Sequence, residues 1–258
     1  MIGAIAGDII GSVHEFSDDK PSYDFSLITN QSFFTDDTVL TVALADSILS
    51  ESAYKNKMRE YYNLYPRCSY GGTFHQWASG MIDGPYNSWG NGSAMRVSPI
   101  GWAYNDIETV LQKAEQSAEI THNHPEGIKG AQAIALAIYL SRIGTAKQKI
   151  KKEIENRFRY NLNFDLEELR KDYRFNESCQ GTVPQAIFTF LNSDNFEDSI
   201  RKAIYIGGDS DTMACINGSI AEAYYKGVPK EIRDQVFIKL DTYLTKVVKE
   251  FESNYLRY

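Results

Sequence analysis

Several signatures that would settle a chemistry at once are missing from this chain. It contains no GxGxxG, no Walker A and no GxSxG, so the usual dinucleotide, P-loop and serine-hydrolase readings have no support. Its three cysteines, Cys68, Cys179 and Cys215, are far apart, odd in number and form no CxxC unit. That excludes a disulfide framework and a zinc site of the usual spacing. Cys215 falls in an apolar helical run and reads as a small buried side chain. Alternating β-branched runs bounded by hairpin turns are nearly absent, which argues against a sheet protein. No apolar stretch approaches the ~20 residues that span a bilayer. The formal charge of −7 over 258 residues leaves no basic stripe for nucleic acid. The apolar opening Met1 to Gly7 meets Asp8 at once, without a leading basic region, and does not read as a signal peptide. A soluble cytoplasmic protein is expected, with no nucleic-acid or membrane partner.

What is present is helical pattern. Thr38 to Leu49 is apolar nearly all round, as a buried helix must be. Pro125 to Leu140 starts with a proline suited to a first helical position, and its alanines permit close packing. A third helix is read from Thr212 to about Tyr225, with Gly227 as its left-handed C-cap. From Pro229 onward Ile232, Val236, Phe237, Leu240, Leu244, Val247, Val248 and Phe251 recur at three and four, which predicts one last amphipathic helix. Tyr65 to Gly101 is rich in glycine, asparagine, serine and aromatics, and such irregular stretches commonly carry function. Residues from about 147 to 171 carry dense mixed charge and read as a solvated helical surface or a peripheral insertion. No repeat or flexible linker interrupts the chain, so residues 1–258 are expected to form one domain.

Two acidic clusters stand out, Phe34-Thr35-Asp36-Asp37-Thr38 and Gly207-Gly208-Asp209-Ser210-Asp211-Thr212. Each precedes a helical run. Oxygen-only side chains suit a hard divalent cation, Mg²⁺ or Mn²⁺. Inside a helix residues two apart diverge by ~200°, but Gly207 and Gly208 allow a turn that brings Asp209 and Asp211 to one point. Helix capping explains either cluster alone, since Asp, Ser and Thr are favoured at N-termini. Acids and threonines at two helix entrances exceed what two caps use. Gly90-Asn91-Gly92-Ser93 offers backbone N–H groups to a phosphate or ribose, although Asn-Gly is also a common turn. His124 reads as a cap. Tyr70, Phe74, Trp77 and Trp89 suit either purine stacking or core packing. Asp8 reads as either a buried hydrogen-bonding group or a catalytic one.

Taken together, Gly7-Asp8, Glu15, Thr35-Asp36-Asp37-Thr38, Gly90-Asn91-Gly92-Ser93-Ala94-Met95-Arg96, Thr121-His122 and Gly207-Gly208-Asp209-Ser210-Asp211-Thr212 resemble the ADP-ribosylglycohydrolase family, from Gly3 to about Pro229. The resemblance implies an all-α orthogonal bundle with a dinuclear Mg²⁺ or Mn²⁺ centre in a cleft. It implies metal ligation by Thr35, Asp36, Asp37, Asp209, Asp211 and Thr212, and catalysis by Glu15 with Asp36. Gly90, Asn91, Gly92, Ser93 and His122 match the residues around the ribose and phosphates. The expected reaction is hydrolysis at C1″ of an ADP-ribosyl group, arginine-linked ahead of serine-linked or a small ADP-ribose conjugate, by a monomer. Asp83 is the candidate for an extra acidic group reading the far side of the scissile bond. A metal-dependent nucleotide phosphatase or pyrophosphatase and a non-catalytic, crystallin-like binder of the same fold remain as alternatives.

Overall fold

Glycines at positions 3, 7 and 11 recur every four residues, so in a helix they share one side and leave it without side chains. In the computed structural model, which describes residues 1–15 and 19–256, they form the face of α1 (Ile2–Gly11). The chain continues through α2 (Asp36–Leu49), α3 (Tyr54–Leu64), α4 (Gly72–Ala78), α5 (Gly92–Met95) and α6 (Ser98–Ala103). Then follow α7 (Ile107–Glu119), α8 (Pro125–Arg142), α9 (Lys147–Phe158), α10 (Leu166–Asp172) and α11 (Cys179–Leu191). The remaining helices are α12 (Phe196–Tyr205), α13 (Ser210–Tyr225), α14 (Lys230–Lys239) and α15 (Thr242–Tyr255). The fold is all-helical, as expected. Among the described residues the only β pairing is an isolated antiparallel bridge between Gly90 and Ser178.

The centre of the molecule is α13. Its residues from Ser210 to Ala223 are all buried, and α1, α8, α11 and α12 pack around it. The pairing with α1 is the most intimate. A Cβ on Gly3 would lie 2.3 Å from the Gly218 carbonyl oxygen, one on Gly7 2.0 Å from that of Ala214, and one on Gly11 2.4 Å from the Asp211 Cα. Only bare backbone permits that approach. At its start the Met1 ammonium pairs with the buried Glu222 carboxylate, which also accepts from the Gly3 N–H at 2.9 Å. Pairing satisfies two charges that could not be buried singly. At the other end of α1, Gly11 lies against Ser210 and Asp211 in the first turn of α13.

Three of the expected boundaries differ. The residue in left-handed conformation after α13 is Lys226 (φ +63), and Gly227 follows at φ +136, donating its N–H to the Glu222 carbonyl. The amphipathic run after Pro229 is two helices, because Asp241 accepts from the Leu244 N–H at 2.9 Å and starts α15 anew. The irregular region 65–101 contains the short helices α4, α5 and α6. His124 caps α8 as expected, its Nδ1 accepting from the Glu126 N–H. No helix among the described residues is long and apolar enough to cross a membrane.

Candidate active site

Helices α1, α2 and α13 meet at one end, and the acidic side chains gather there. Asp8, on α1, is fully buried. Its carboxylate accepts from the Thr35 N–H at 3.0 Å, the Thr35 hydroxyl at 2.8 Å, the Thr38 N–H at 3.0 Å and the Thr38 hydroxyl. It therefore caps α2 from a different helix and fixes where Asp36 and Asp37 stand. Burial pushes the Asp8 carboxyl up to about 6, against the pull of those four hydrogen bonds. On α13, Gly207 (φ +76) and Gly208 (φ +85) make the turn that delivers Asp209 and Asp211, since L side chains rarely adopt that backbone. Asp211 Oδ1 accepts from the Thr212 N–H at 2.9 Å, and the Thr212 hydroxyl donates to Asp37 Oδ1 at 3.3 Å. Two helix entrances far apart in sequence are thus tied together.

One oxygen from each of Glu15, Asp209 and Asp211 lies within 4.8 Å of the others. Asp37 Oδ2 is buried beside them without a hydrogen-bond partner. Burial, then the charges of neighbouring carboxylates, hold Asp36, Asp37 and Asp211 well above the ordinary carboxylate range. Glu15, half-buried, is pushed up to about 7 by burial and then by Asp209. Acids packed in this way repel one another as anions, and the orphaned Asp37 oxygen costs free energy as it stands. A hard divalent cation relieves both penalties, so the donor set fits one. This acidic cluster is able to hold a metal ion.

The cluster is the floor of a cavity of about 390 Å³. One wall is the loop Gly90-Asn91-Gly92 with His122 and Arg96 behind it; Gly71 to Phe74 form another, and Phe175 and Glu177 stand at the rim. The wall is pinned by the Asn91 N–H, which donates to the Glu177 carbonyl at 2.8 Å, and by the Cys179 N–H, which donates to that of Trp89 at 2.9 Å. The Asn91 side chain points at the floor: Nδ2 donates to Asp209 Oδ2 at 2.7 Å and to the Thr182 hydroxyl at 3.1 Å. The glycine loop and the acidic cluster are joined by that one amide.

Residues 1–256 match the ADP-ribosylglycohydrolase family profile. The chain belongs to that family. Among curated relatives, the mouse ADP-ribosylhydrolase ARH3 is 26% identical over 87% of this chain and 82% of its own length. The ADP-ribosylarginine hydrolase Tri1 of Pseudomonas putida is 23% identical over 92% and 72% respectively. A solved structure titled ADP-ribosylglycohydrolase-related protein complex superposes with a TM-score of 0.71, covering 97% of this chain and 95% of that one at 22% identity, which shows a shared fold. Membership makes the chain an ADP-ribosylglycohydrolase-type enzyme.

Of the residues predicted for this family's site, Glu15, Asp36, Asp37, Asp209, Asp211, Thr212, Gly90, Asn91, Gly92 and His122 line the one cavity. Thr35 and Ser93 do not line it. The Thr35 hydroxyl is turned to Asp8, and the Ser93 hydroxyl donates to the Gly127 carbonyl at 2.7 Å, bracing the loop from behind. Asp83 is far from the role considered for it: its side chain is 99% exposed, 3.5 Å from Lys55, and outside the cavity. The aromatic residues divide. Trp77 is fully buried in the core and Tyr70 stacks on Phe74 at 5.4 Å, whereas Phe74 and the exposed Trp89 reach the cavity.

Phe175 and Glu177 at the rim have no signal in the sequence, because a short polar stretch ahead of a capped helix carries no local mark of a cavity. Asn91, expected at the ligand, also ties the loop to the floor through its amide, which donates to Asp209. Asp8 is buried and its carboxylate accepts hydrogen bonds from Thr35 and Thr38, as the hydrogen-bonding reading expects.

Proposed function

We propose that this chain hydrolyses the C1″ glycosidic bond of ADP-ribosyl groups, ADP-ribosyl-arginine ahead of ADP-ribosyl-serine and small ADP-ribose conjugates. The observation that carries this reading is the convergence of Glu15, Asp36, Asp37, Asp209 and Asp211 on the floor of a cavity walled by Gly90, Asn91, Gly92 and His122. A relative named as an ADP-ribosylarginine hydrolase supports the preference for arginine. Asp36, Asp37, Asp209, Asp211 and Thr212 are the proposed ligands of two Mg²⁺ or Mn²⁺ ions. Thr35, whose proton goes to Asp8, keeps an oxygen lone pair for the same purpose.

Bound divalent cations would supply fixed positive charge for the distal ribose hydroxyls and for charge developing during cleavage. The residues of the chain do the rest. The glycine loop lets the backbone come close to the diphosphate and ribose. Glu15 stands at the edge of the cluster, where burial and Asp209 raise its carboxyl toward neutrality. A group so poised can take one proton from the attacking water as its oxygen bonds to C1″, and return a proton to the leaving nitrogen or oxygen as that bond breaks. Asp36 is the proposed second participant, holding the reacting ribose in place from the opposite cluster. Water is consumed, and free ADP-ribose and the unmodified side chain are released.

The test is product analysis. The protein is incubated with arginine-, serine- and phosphate-linked ADP-ribose and Mg²⁺ or Mn²⁺. Intact ADP-ribose, formed fastest from the arginine conjugate, is the expected result. Release of AMP would mean pyrophosphate cleavage and would overturn the reading, and no turnover of any substrate would favour a binder.

A further inference from the structure

Arg96 is the largest charged side chain wholly inside the protein, with no exposed surface. It has no carboxylate partner within ion-pair distance among the described residues. One terminal nitrogen, Nη2, donates to the Ser117 carbonyl at 3.1 Å and to the Thr121 hydroxyl oxygen at 2.8 Å. The other, Nη1, and Nε are buried without acceptors. A guanidinium kept in this state is costly and calls for an explanation beyond packing. Its hydrogen bond to Thr121 leads to one. Thr121 Oγ1 lies 2.7 Å from Nδ1 of His122, whose ring forms part of the cavity wall. At the other end of that ring Nε2 faces the glycine loop, 3.1 Å from where a Cβ on Gly92 would sit and 3.5 Å from one on Gly90.

We propose that Arg96, acting through Thr121, holds His122 as the neutral tautomer with its proton on Nε2, so that the cavity wall presents a fixed N–H donor to an anionic or ribose oxygen of the ligand. A hydroxyl has one proton and two acceptor positions. The Arg96 N–H occupies one acceptor position, which leaves the hydroxyl proton free to turn toward His122. The Thr121 proton is then directed to Nδ1, which must be bare to receive it. Donation from a cation also polarises the hydroxyl and makes it a stronger donor. A second proton on the imidazole would face the Arg96 charge at close range; burial first, then that charge, hold His122 well below the ordinary histidine range. The groups facing the pair are Tyr86, Cys179 and, across the cavity, Asp36, and none lies close enough to Arg96 to form an ion pair.

Arg96 and Thr121 are therefore positioning residues. The arrangement gives the cavity two poles: an acidic floor that attracts a cation, and a wall backed by an unneutralised guanidinium that suits the diphosphate. The identity of the acceptor rests on the proposed function; the tautomer does not. The experiment is long-range proton–nitrogen NMR of the full chain labelled at histidine, with His122→Gln to assign the signal. His122 is expected to carry its proton on Nε2 alone and to stay neutral from pH 6 to 8. Thr121→Val, nearly equal in shape, should release the tautomer to a mixture and weaken ADP-ribose binding about tenfold, with divalent-ion binding unchanged. Arg96→Met should move the His122 titration toward the ordinary range, and Arg96→Lys should restore part of the depression. A proton on Nδ1 in the parent, or a Thr121→Val spectrum identical to the parent's, overturns the proposal. If the spectra are as expected but the parent binds no ADP-ribose, the hydrolase reading fails and the relay stands.

Discussion

Asp211 illustrates how one side chain can serve binding at the expense of folding. It is buried within reach of Asp209, Asp37 and Glu15, and burial followed by those charges raises its carboxyl well above the ordinary range. Replacing it by asparagine keeps an oxygen to accept from the Thr212 N–H, now 2.9 Å away, and removes a negative charge from the repelling group. Without divalent ions, Asp211→Asn should thus melt higher than the parent at pH 8. With saturating Mg²⁺ or Mn²⁺ the order should reverse, because the parent gains stability by binding in the folded state and the variant has lost a ligand. Thermal melts of both proteins, with chelator and with ions, check the pair of signs. A variant stabilised by ions as strongly as the parent would remove Asp211 from the ligand set. Residues of this kind were legible because each acidic cluster is contiguous and sits at a helix start. The amide of Asn91 was not, since its bond to Asp209 spans 118 positions and nothing local announces it.

At the level of elements, the site depends on how closely α1 lies on α13. Gly3, Gly7 and Gly11, four residues apart, leave one side of α1 bare, and its partner, α13, is known only from the fold. A Cβ at position 7 would stand 2.0 Å from a backbone oxygen of α13. Neither helix can yield locally, so they must separate. Overpacking of this sort costs about 1–3 kcal/mol, and in a chain of this size each kcal/mol lowers the melting temperature by about 2–4 °C. Gly7→Ala should lower it accordingly. It should also weaken divalent-ion binding, because Asp8, the next residue, carries the cap that places Asp36 and Asp37. Gly84→Ala is the control: a Cβ there meets nothing within 4 Å, and the change should stay within about 0.5 kcal/mol. Calorimetry on the three proteins decides it; equal melting temperatures for parent and Gly7→Ala would show that the helices have slack. The break between α14 and α15 shows where pattern fails. The apolar period runs on through Leu240 and Leu244, so periodicity alone reads one helix, and only the Asp241 cap interrupts it.

For the whole molecule the buried acids set the response to pH. Glu15 titrates near 7 in the fold against an ordinary 4.5, while Asp36, Asp37 and Asp211 lie well above 3.8, all raised first by burial. Over the range where these groups are protonated in the fold and ionised in the unfolded chain, the folded state holds more protons. Stability then falls as pH rises. Histidine works the other way: His14 and His122 are depressed from 6.5 by burial, so they favour the fold increasingly as pH climbs through that value, a change that fades within about one unit above it. In the window from pH 6.5 to 8 the raised carboxyl groups outnumber the groups that work the other way, the histidines and Lys147, which burial lowers to about 8. In that window the protein with chelator should lose melting temperature steadily. Divalent ions should reverse the trend, since their ligands bind only when deprotonated and affinity grows as protons leave. The gap between melts with and without Mg²⁺ or Mn²⁺ should widen from pH 6.5 to 8. A flat chelator curve, together with an ion effect that does not grow, would mean the acids of the floor are already ionised and too far apart to share a cation.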